Sequence, residues 1–157
     1  MKAQLQKTSS NKELDPDGPR LGPPDVKFAQ CPIKTVALGA LGKKWTMLML
    51  RDIGFRKVDR FNRLLESIPG LTPRVLSMRL KELEKEGIIE RTETRNSPVV
   101  VRWALTEKGR DTLPILVRLI AFGSKWYPEV VFEDKTPRTL SELFTRPEAR
   151  QIIKAYT

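Results

Sequence analysis

The chain has 157 residues, 39% of them apolar, which is the scale of one domain with a real core and polar tails. Lys and Arg number 29 against 19 Asp and Glu, a formal net charge of +10. Such an excess points to a polyanionic partner, because neutralising phosphates releases condensed counterions; the plainer alternative is a merely soluble basic surface. With no His, the sequence excludes Ser-His-Asp and Cys-His catalysis and His-containing metal sites within itself. A lone cysteine, Cys31, excludes an intrachain disulfide and a Cys-cluster metal site, and fits a reducing cytoplasm. The opening MKAQLQKTSSNKELDPDGP lacks the apolar core of a signal peptide, and no apolar run approaches the roughly 18 residues of a membrane helix. The expectation is a cytoplasmic protein with no membrane partner, no cofactor, no metal and no catalytic site.

Residues 1–27 are polar, rich in Pro and Gly, and carry a net charge of only +1 (5 basic, 4 acidic). They read as a flexible tail, so the basic excess sits on the folded part. From Cys31 the pattern changes. Pro32 suits the first turn of a helix, Ile33, Val36, Ala37 and Leu41 follow at helical spacing, and Gly42 closes the segment. A second, largely apolar helix is expected over roughly 45–53, with Trp45, Leu48, Met49 and Ile53. Phe55–Val58 reads as a short strand. Asn62 is a good N-cap for a helix carrying Leu64, Leu65 and Ile68, which Pro69-Gly70-Leu71 breaks. Thr72 caps the next helix with Pro73 at its first position, Leu76, Leu80 and Leu83 recur at i, i+4, i+7, and Gly87 ends it. Two helices joined by a tight Gly-containing turn make a helix-turn-helix.

A hairpin follows, with strands Ile88–Thr94 and Val99–Leu105 around the turn Arg95-Asn96-Ser97-Pro98. Thr106 then caps a long helix carrying Leu113, Leu116, Val117, Ile120 and Tyr127, which Pro114 kinks or divides. Two short helices are expected near Pro137 and Pro147. The fold class is therefore mainly α with a small β-hairpin: a winged helix-turn-helix over 28–130, with added helices at either end and a helical extension over 131–157.

The helix 72–86 is the centre of the functional reading. At about 100° per residue, Leu76, Leu80 and Leu83 fall together on one side, Arg74, Met78, Lys81 and Lys85 fall opposite, and Ser77 lies between. A helix in the major groove uses such positions: Arg pairs with guanine, Ser with either base, and an apolar side chain meets the thymine methyl. The bland alternative is a solvated amphipathic helix. The preceding turn and the basic hairpin after it favour DNA, with Thr72 at the helix N-terminus. Arg95 and Asn96 at the wing tip, flanked by Arg91 and Arg102, would meet the backbone or the minor groove. Arg56, Lys57, Arg60 and Arg63 form a second group, suited to positioning on phosphates. Residues 34–102 hold 15 basic and 8 acidic side chains, so a net +7 lies on this unit.

These strings closely resemble the HxlR-type (MarR-like) winged helix-turn-helix transcription regulators. The resemblance runs from about Cys31 to Tyr127, through the Cys-Pro start, Gly42, Lys44, Trp45 and Thr46, Arg-Phe-Asn, Pro-Gly-Leu-Thr-Pro-Arg-Val-Leu and Leu-Thr-Glu-Lys-Gly. It implies a homodimeric cytoplasmic regulator of a palindromic operator in double-stranded DNA, with dimer contacts from the first helix and the long C-terminal helix. Both segments carry surplus apolar residues (Val36, Leu38, Leu119, Ile120, Phe122, Trp126), which supports that expectation independently. Residues 1–27 and those after about 130 exceed the typical member, and Trp103 stands where Tyr is common.

Some members of that family sense electrophiles or oxidants at the Cys-Pro position, which Cys31 matches. A thiol at a helix N-terminus near Lys34 would have its thiolate favoured, and the alternative is a small inert residue. A small-molecule effector stays open. Two other functions compete with specific regulation: a winged-helix protein-interaction module, or a protein that binds DNA only for its charge. An enzyme is the third reading, disfavoured by the absence of a phosphate loop, of His and of paired catalytic carboxylates.

Overall fold

The computed structural model describes residues 30–94 and 98–145, together with 147, 150, 151 and 154. The tail 1–27, the wing tip Arg95-Asn96-Ser97 and most of the helix expected from Pro147 lie outside the described residues. In chain order, helix α1 (Pro32–Leu38) leads through a short 3-10 turn (Ala40–Gly42) into α2 (Thr46–Gly54). Helices α3 (Phe61–Ser67) and α4 (Pro73–Lys85) form the helix-turn-helix, and strands β1 (Ile89–Glu93) and β2 (Val101–Leu105) the wing. Helices α5 (Glu107–Arg110), α6 (Leu113–Trp126), α7 (Pro128–Val131) and α8 (Leu140–Leu143) follow. Among the described residues, no helix is long and apolar enough to cross a membrane.

The core gathers one face from each central element. Met49, Leu50 and Ile53 of α2 meet Leu64 of α3, Ile68 and Leu71 of the turn, and Leu76, Leu80 and Leu83 of α4. Ile88, Ile89, Trp103 and Leu105 of the hairpin and Leu113 and Leu116 of α6 close it. The two strands are antiparallel, with Ile89 opposite Leu105, Arg91 opposite Trp103 and Glu93 opposite Val101. This register puts Ile89, Trp103 and Leu105 inward and leaves the rest of β1 exposed.

Several boundaries differ from the sequence expectation. Helix α1 ends at Leu38, and Leu41 belongs to the 3-10 turn. Trp45 precedes α2 in a left-handed conformation (φ 78°). Phe55–Val58 is not a strand: Phe55 caps α2, Lys57 has φ 56°, and the Val58 N–H donates to the Asp52 carbonyl at 3.0 Å. One strand-like hydrogen bond remains beside it, from Trp103 N–H to the Asp59 carbonyl at 2.8 Å. The cap of α3 is the backbone at Arg60, while Asn62 sits one residue inside the helix and faces solvent. Pro114 does divide the C-terminal helix, giving α5 and α6. Helix α7 was not anticipated, and α8 starts at Leu140 behind a Thr139–Glu142 capping box rather than at Pro137.

The Leu-Thr-Glu-Lys-Gly motif has a clear mechanical role at the end of α4. Gly87 (φ 69°) donates to the Glu84 carbonyl and Ile88 to the Leu83 carbonyl, a Schellman closure. The Thr106 hydroxyl donates to the Gly87 carbonyl at 2.6 Å and accepts from Gly109 N–H at 3.0 Å. Lys108 Nζ donates to the Glu86 carbonyl at 2.7 Å, a cation at the negative end of α4. Gly109 lies so close to Ile88 that a Cβ would overlap the Ile88 carbonyl oxygen. Gly109→Ala should therefore cost about 1–3 kcal/mol by overpacking against backbone, read as a lower urea midpoint at unchanged slope. A midpoint equal to that of the wild type would contradict this packing.

Candidate nucleic-acid interface

Helix α4 begins at Thr72, whose hydroxyl accepts from Val75 N–H at 3.3 Å, with Pro73 at a position that needs no donor. Leu76, Leu80 and Leu83 are fully buried, so the rotation of the helix about its axis is fixed. The opposite face is outward: Arg74, Lys81 and Lys85 are exposed, Ser77 is half-buried, and Met78 is 44% exposed. The four candidate groove residues Arg74, Ser77, Met78 and Lys81 thus share one open side, as the helical spacing predicts.

Polar contacts along its flank hold the helix against the segment before α2. Arg79, missed in the sequence reading, pairs with Glu82 at 2.6 Å and donates to the Lys44 carbonyl at 3.3 Å. Lys43 pairs with the same Glu82 at 3.0 Å, and Glu86 accepts from Ala40 N–H at 3.2 Å. Burial pulls the Glu82 carboxyl upward, but the hydrogen bonds and charges of Lys43 and Arg79 outweigh it and hold the group below its usual range. The Trp45 ring lies on Gly70 in the turn between α3 and α4, where a Cβ would approach it to 3.3 Å. Gly70 itself has φ 83°. Lys44 Nζ sits 4.6 Å from the Trp45 ring centre. The Gly-Lys-Trp-Thr string is therefore the cradle of the helix-turn-helix.

The second basic group divides in two. Lys57, Arg60 and Arg63 line one open cavity of about 380 Å³ with Val58 and Asp59. Lys57 and Arg60 are exposed, and Arg63 faces Glu66 loosely at 3.7 Å. Arg56 instead turns to Asp52, with Nη1 at 3.3 Å from Oδ1. Asp52 is wholly buried and also accepts from Arg51 Nε at 2.7 Å and the Ser67 hydroxyl at 2.5 Å. It ties α2 to the end of α3. The signal was an aspartate inside the apolar run TMLMLRDIG. The cations flanking the wing tip are also engaged, Arg102 with Asp59 and Arg91 with Glu93, each at 2.5 Å. Arg95 and Asn96 lie outside the described residues.

Cys31 is exposed and stands at the N-cap of α1 with no hydrogen bond from its side chain to the helix. Among the described residues no group of His, Cys, Asp or Glu is arranged to hold a metal. Exposed apolar side chains collect on the outer helices: Ile33, Val36 and Leu38 on α1, and Leu119, Phe122 and Trp126 on α6.

Burial raises the Asp52 carboxyl, and the hydrogen bonds from Arg51 and Ser67 with the two guanidinium charges more than offset it, leaving it below its ordinary 3.8. A depressed carboxyl stabilises the fold fully above its unfolded value, and that contribution is lost as pH falls through the lower folded one. Asp52→Asn should cost about 1–2 kcal/mol at pH 7, modest because both guanidiniums stay partly wet. The gap between wild type and variant should narrow as pH drops below 3.8, in urea titrations at successive pH values. A gap constant down to pH about 2 would refute the assignment.

Comparisons with known proteins agree with this architecture. The sequence model of the HxlR-like helix-turn-helix family matches residues 40–131. An uncharacterised helix-turn-helix transcriptional regulator of Synechocystis is 38% identical over 96 residues, 61% of this chain and 70% of its own. The Bacillus subtilis regulator YodB is 39% identical over 96 residues, 61% of this chain and 85% of its own. The solved reduced form of YodB superposes with a TM-score of 0.53 at 33% identity, covering 62% of this chain and 94% of that one. The redox regulator HypR in its reduced form gives a TM-score of 0.56 at 28% identity, covering 66% of this chain and 99% of that one.

Proposed function

Because the chain belongs to the HxlR-like helix-turn-helix family of transcription regulators, which are not enzymes, we propose that it acts as a homodimer reading a palindromic operator. Helix α4 enters the major groove with Arg74, Ser77, Met78 and Lys81 toward base edges and Thr72 at the backbone. Lys57, Arg60 and Arg63, with Arg56 partly committed to Asp52, position the protein on phosphates, and Arg95 and Asn96 carry the wing to the backbone or minor groove. The observation that carries this reading is the outward face of α4: cations and one apolar side chain opposite a locked leucine stripe.

The dimer rests on α1 and α6. Helix α1 has seven residues, none buried, and an isolated helix of that length is not stable in water. Its apolar Ile33, Val36 and Leu38, with Leu119, Phe122 and Trp126 of α6, form a surface suited to a second copy. A two-fold pair sets two α4 helices about one DNA turn apart.

Selection from a random oligonucleotide pool tests the reading and should return a palindrome. Arg74→Ala should lose roughly 1–3 kcal/mol on that site and relax one base position. Lys57→Ala should weaken selected and scrambled DNA alike and lower the salt slope by about 1. Equal wild-type affinity for both sequences would leave binding by charge alone, and no binding would leave a protein-interaction module.

A redox input at Cys31 is favoured by its exposure and by the likeness to a redox regulator. With one cysteine per chain, a disulfide between protein thiols can form only across two chains: two S–H bonds break, one S–S bond forms, and two protons and two electrons pass to the oxidant, here diamide, which is reduced to its hydrazine. Diamide should release DNA from the wild type and leave Cys31→Ser bound. Equal release from both would remove the input.

A further inference from the structure

Family similarity ends at residue 131, yet the chain continues in an ordered segment. Beyond α7, the Arg138 guanidinium lies 4.5 Å over the Phe132 ring and pairs with Asp134 at 2.5 Å. The Thr139 backbone N–H donates to Glu142 at 2.7 Å as α8 begins. Helix α8 returns against α6, and behind it the half-buried Phe144 meets the Phe55 ring at 5.7 Å between centroids, tilted by 57°. Phe55 is the C-cap of α2 and the first residue of the turn that carries Arg56, Lys57 and Arg60.

That turn needs support. Lys57 holds a left-handed backbone, a conformation that non-glycine residues keep only when their surroundings impose it. On its far side the turn is fastened by Val58 N–H to the Asp52 carbonyl and by Asp59 to β2. On its near side stands Phe55, packed against the core and covered by Phe144. An aromatic pair is directional as well as apolar, so it fixes where the start of the turn lies and not only that it is buried.

We propose that residues 132–144 are an internal brace and that Phe144, through Phe55, is a positioning residue for the basic turn 56–60. The positioning of phosphates rests on the DNA reading above, while the brace itself can be tested without DNA. In the intact 157-residue chain, limited trypsin digestion with mass-spectrometric assignment reads opening at Arg56 and Lys57 separately from opening at Lys81 in α4. Phe144→Ala should speed cleavage at Arg56 and Lys57 roughly 2- to 10-fold, the factor an aromatic pair is worth when local opening governs proteolysis. Cleavage at Lys81 should not change. Phe144→Tyr, which keeps the ring, should behave as wild type. If Phe144→Ala also opens α4, Phe144→Leu keeps apolar bulk without the ring and should give a smaller, turn-confined rise.

On DNA, Phe144→Ala should lower the salt slope by about 1 and leave the selected sequence unchanged. Unaltered cleavage at the turn in both Phe144→Ala and Phe144→Leu overturns the brace. Faster cleavage with an unaltered salt slope overturns its role in positioning phosphates. A wild type that binds no DNA overturns the functional reading and leaves the cleavage result to judge the brace.

Discussion

The structure turns on the burial of three leucines on one helix. Leu76, Leu80 and Leu83 have almost no exposed surface, and burying a leucine is worth about 1.5–3 kcal/mol. Rolling α4 by half a turn would forfeit all three and bury Arg74, Lys81 and Lys85 in their place, each at a desolvation cost. No polar interaction in the domain approaches that penalty. The outward direction of the basic face therefore follows from the core, and every functional argument about α4 inherits it.

Burial fixes rotation but not tilt or position along the axis, because hydrophobic contact is non-directional. Those are set by hydrogen bonds and ion pairs on the flank. Glu82 receives Lys43 and Arg79, Glu86 accepts from Ala40 N–H, and the Thr106 and Lys108 side chains donate to the carbonyls at the helix end. Each exposed pair is worth little on its own, about 0–1 kcal/mol. Their geometric effect is larger than their energy, since a degree of freedom left flat by the core needs only a small bias. Asp52 does the same between α2 and α3, at higher stakes because its carboxylate is wholly buried.

Local signals carried most of the fold, and long-range ones did not. The 3.6-residue stripe of α4, its Thr72-Pro73 start and its Gly87 end were legible because each is decided within one or two helical turns. The alternation of Val101, Trp103 and Leu105 gave the wing for the same reason. Phe55–Val58 has a composition that suits a strand, but strand formation depends on a partner edge, and the one hydrogen bond from β2 goes to Asp59, just beyond it. Asn62 is a better cap than Arg60 by propensity, yet the helix begins two residues earlier, behind Arg60, with Leu64 placed in the core. Within the site, the exposed face of α4 was readable, whereas the commitments of Arg56 and Arg79 were not. Their carboxylate partners stand at i−4 and i+3, spacings that allow a pair without requiring it. What decides them is contact with other elements, Ser67 on Asp52 and the Lys44 carbonyl on Arg79, which one-dimensional spacing does not encode.

Those commitments change what the charge of the chain means. A net charge of +10 suggests a wide phosphate-binding capacity, but counterion release depends on cations that face the polymer. Arg51 and Arg56 are drawn to Asp52, Lys43 and Arg79 to Glu82, Arg91 to Glu93 and Arg102 to Asp59. These cations orient the helices and the wing. Lys57, Arg60, Arg74, Lys81 and Lys85 are exposed and carry no ion pair among the described residues. These five sit on two elements, the turn after α2 and the outer face of α4, while other exposed cations without an ion pair among the described residues, Lys34, Arg118 and Lys125 among them, lie elsewhere. A compact set on two fixed elements gives a site with a defined orientation, which a uniformly basic surface of the same total charge would not have. Under the proposed DNA reading, the paired cations contribute indirectly, by holding the elements that carry the unpaired ones.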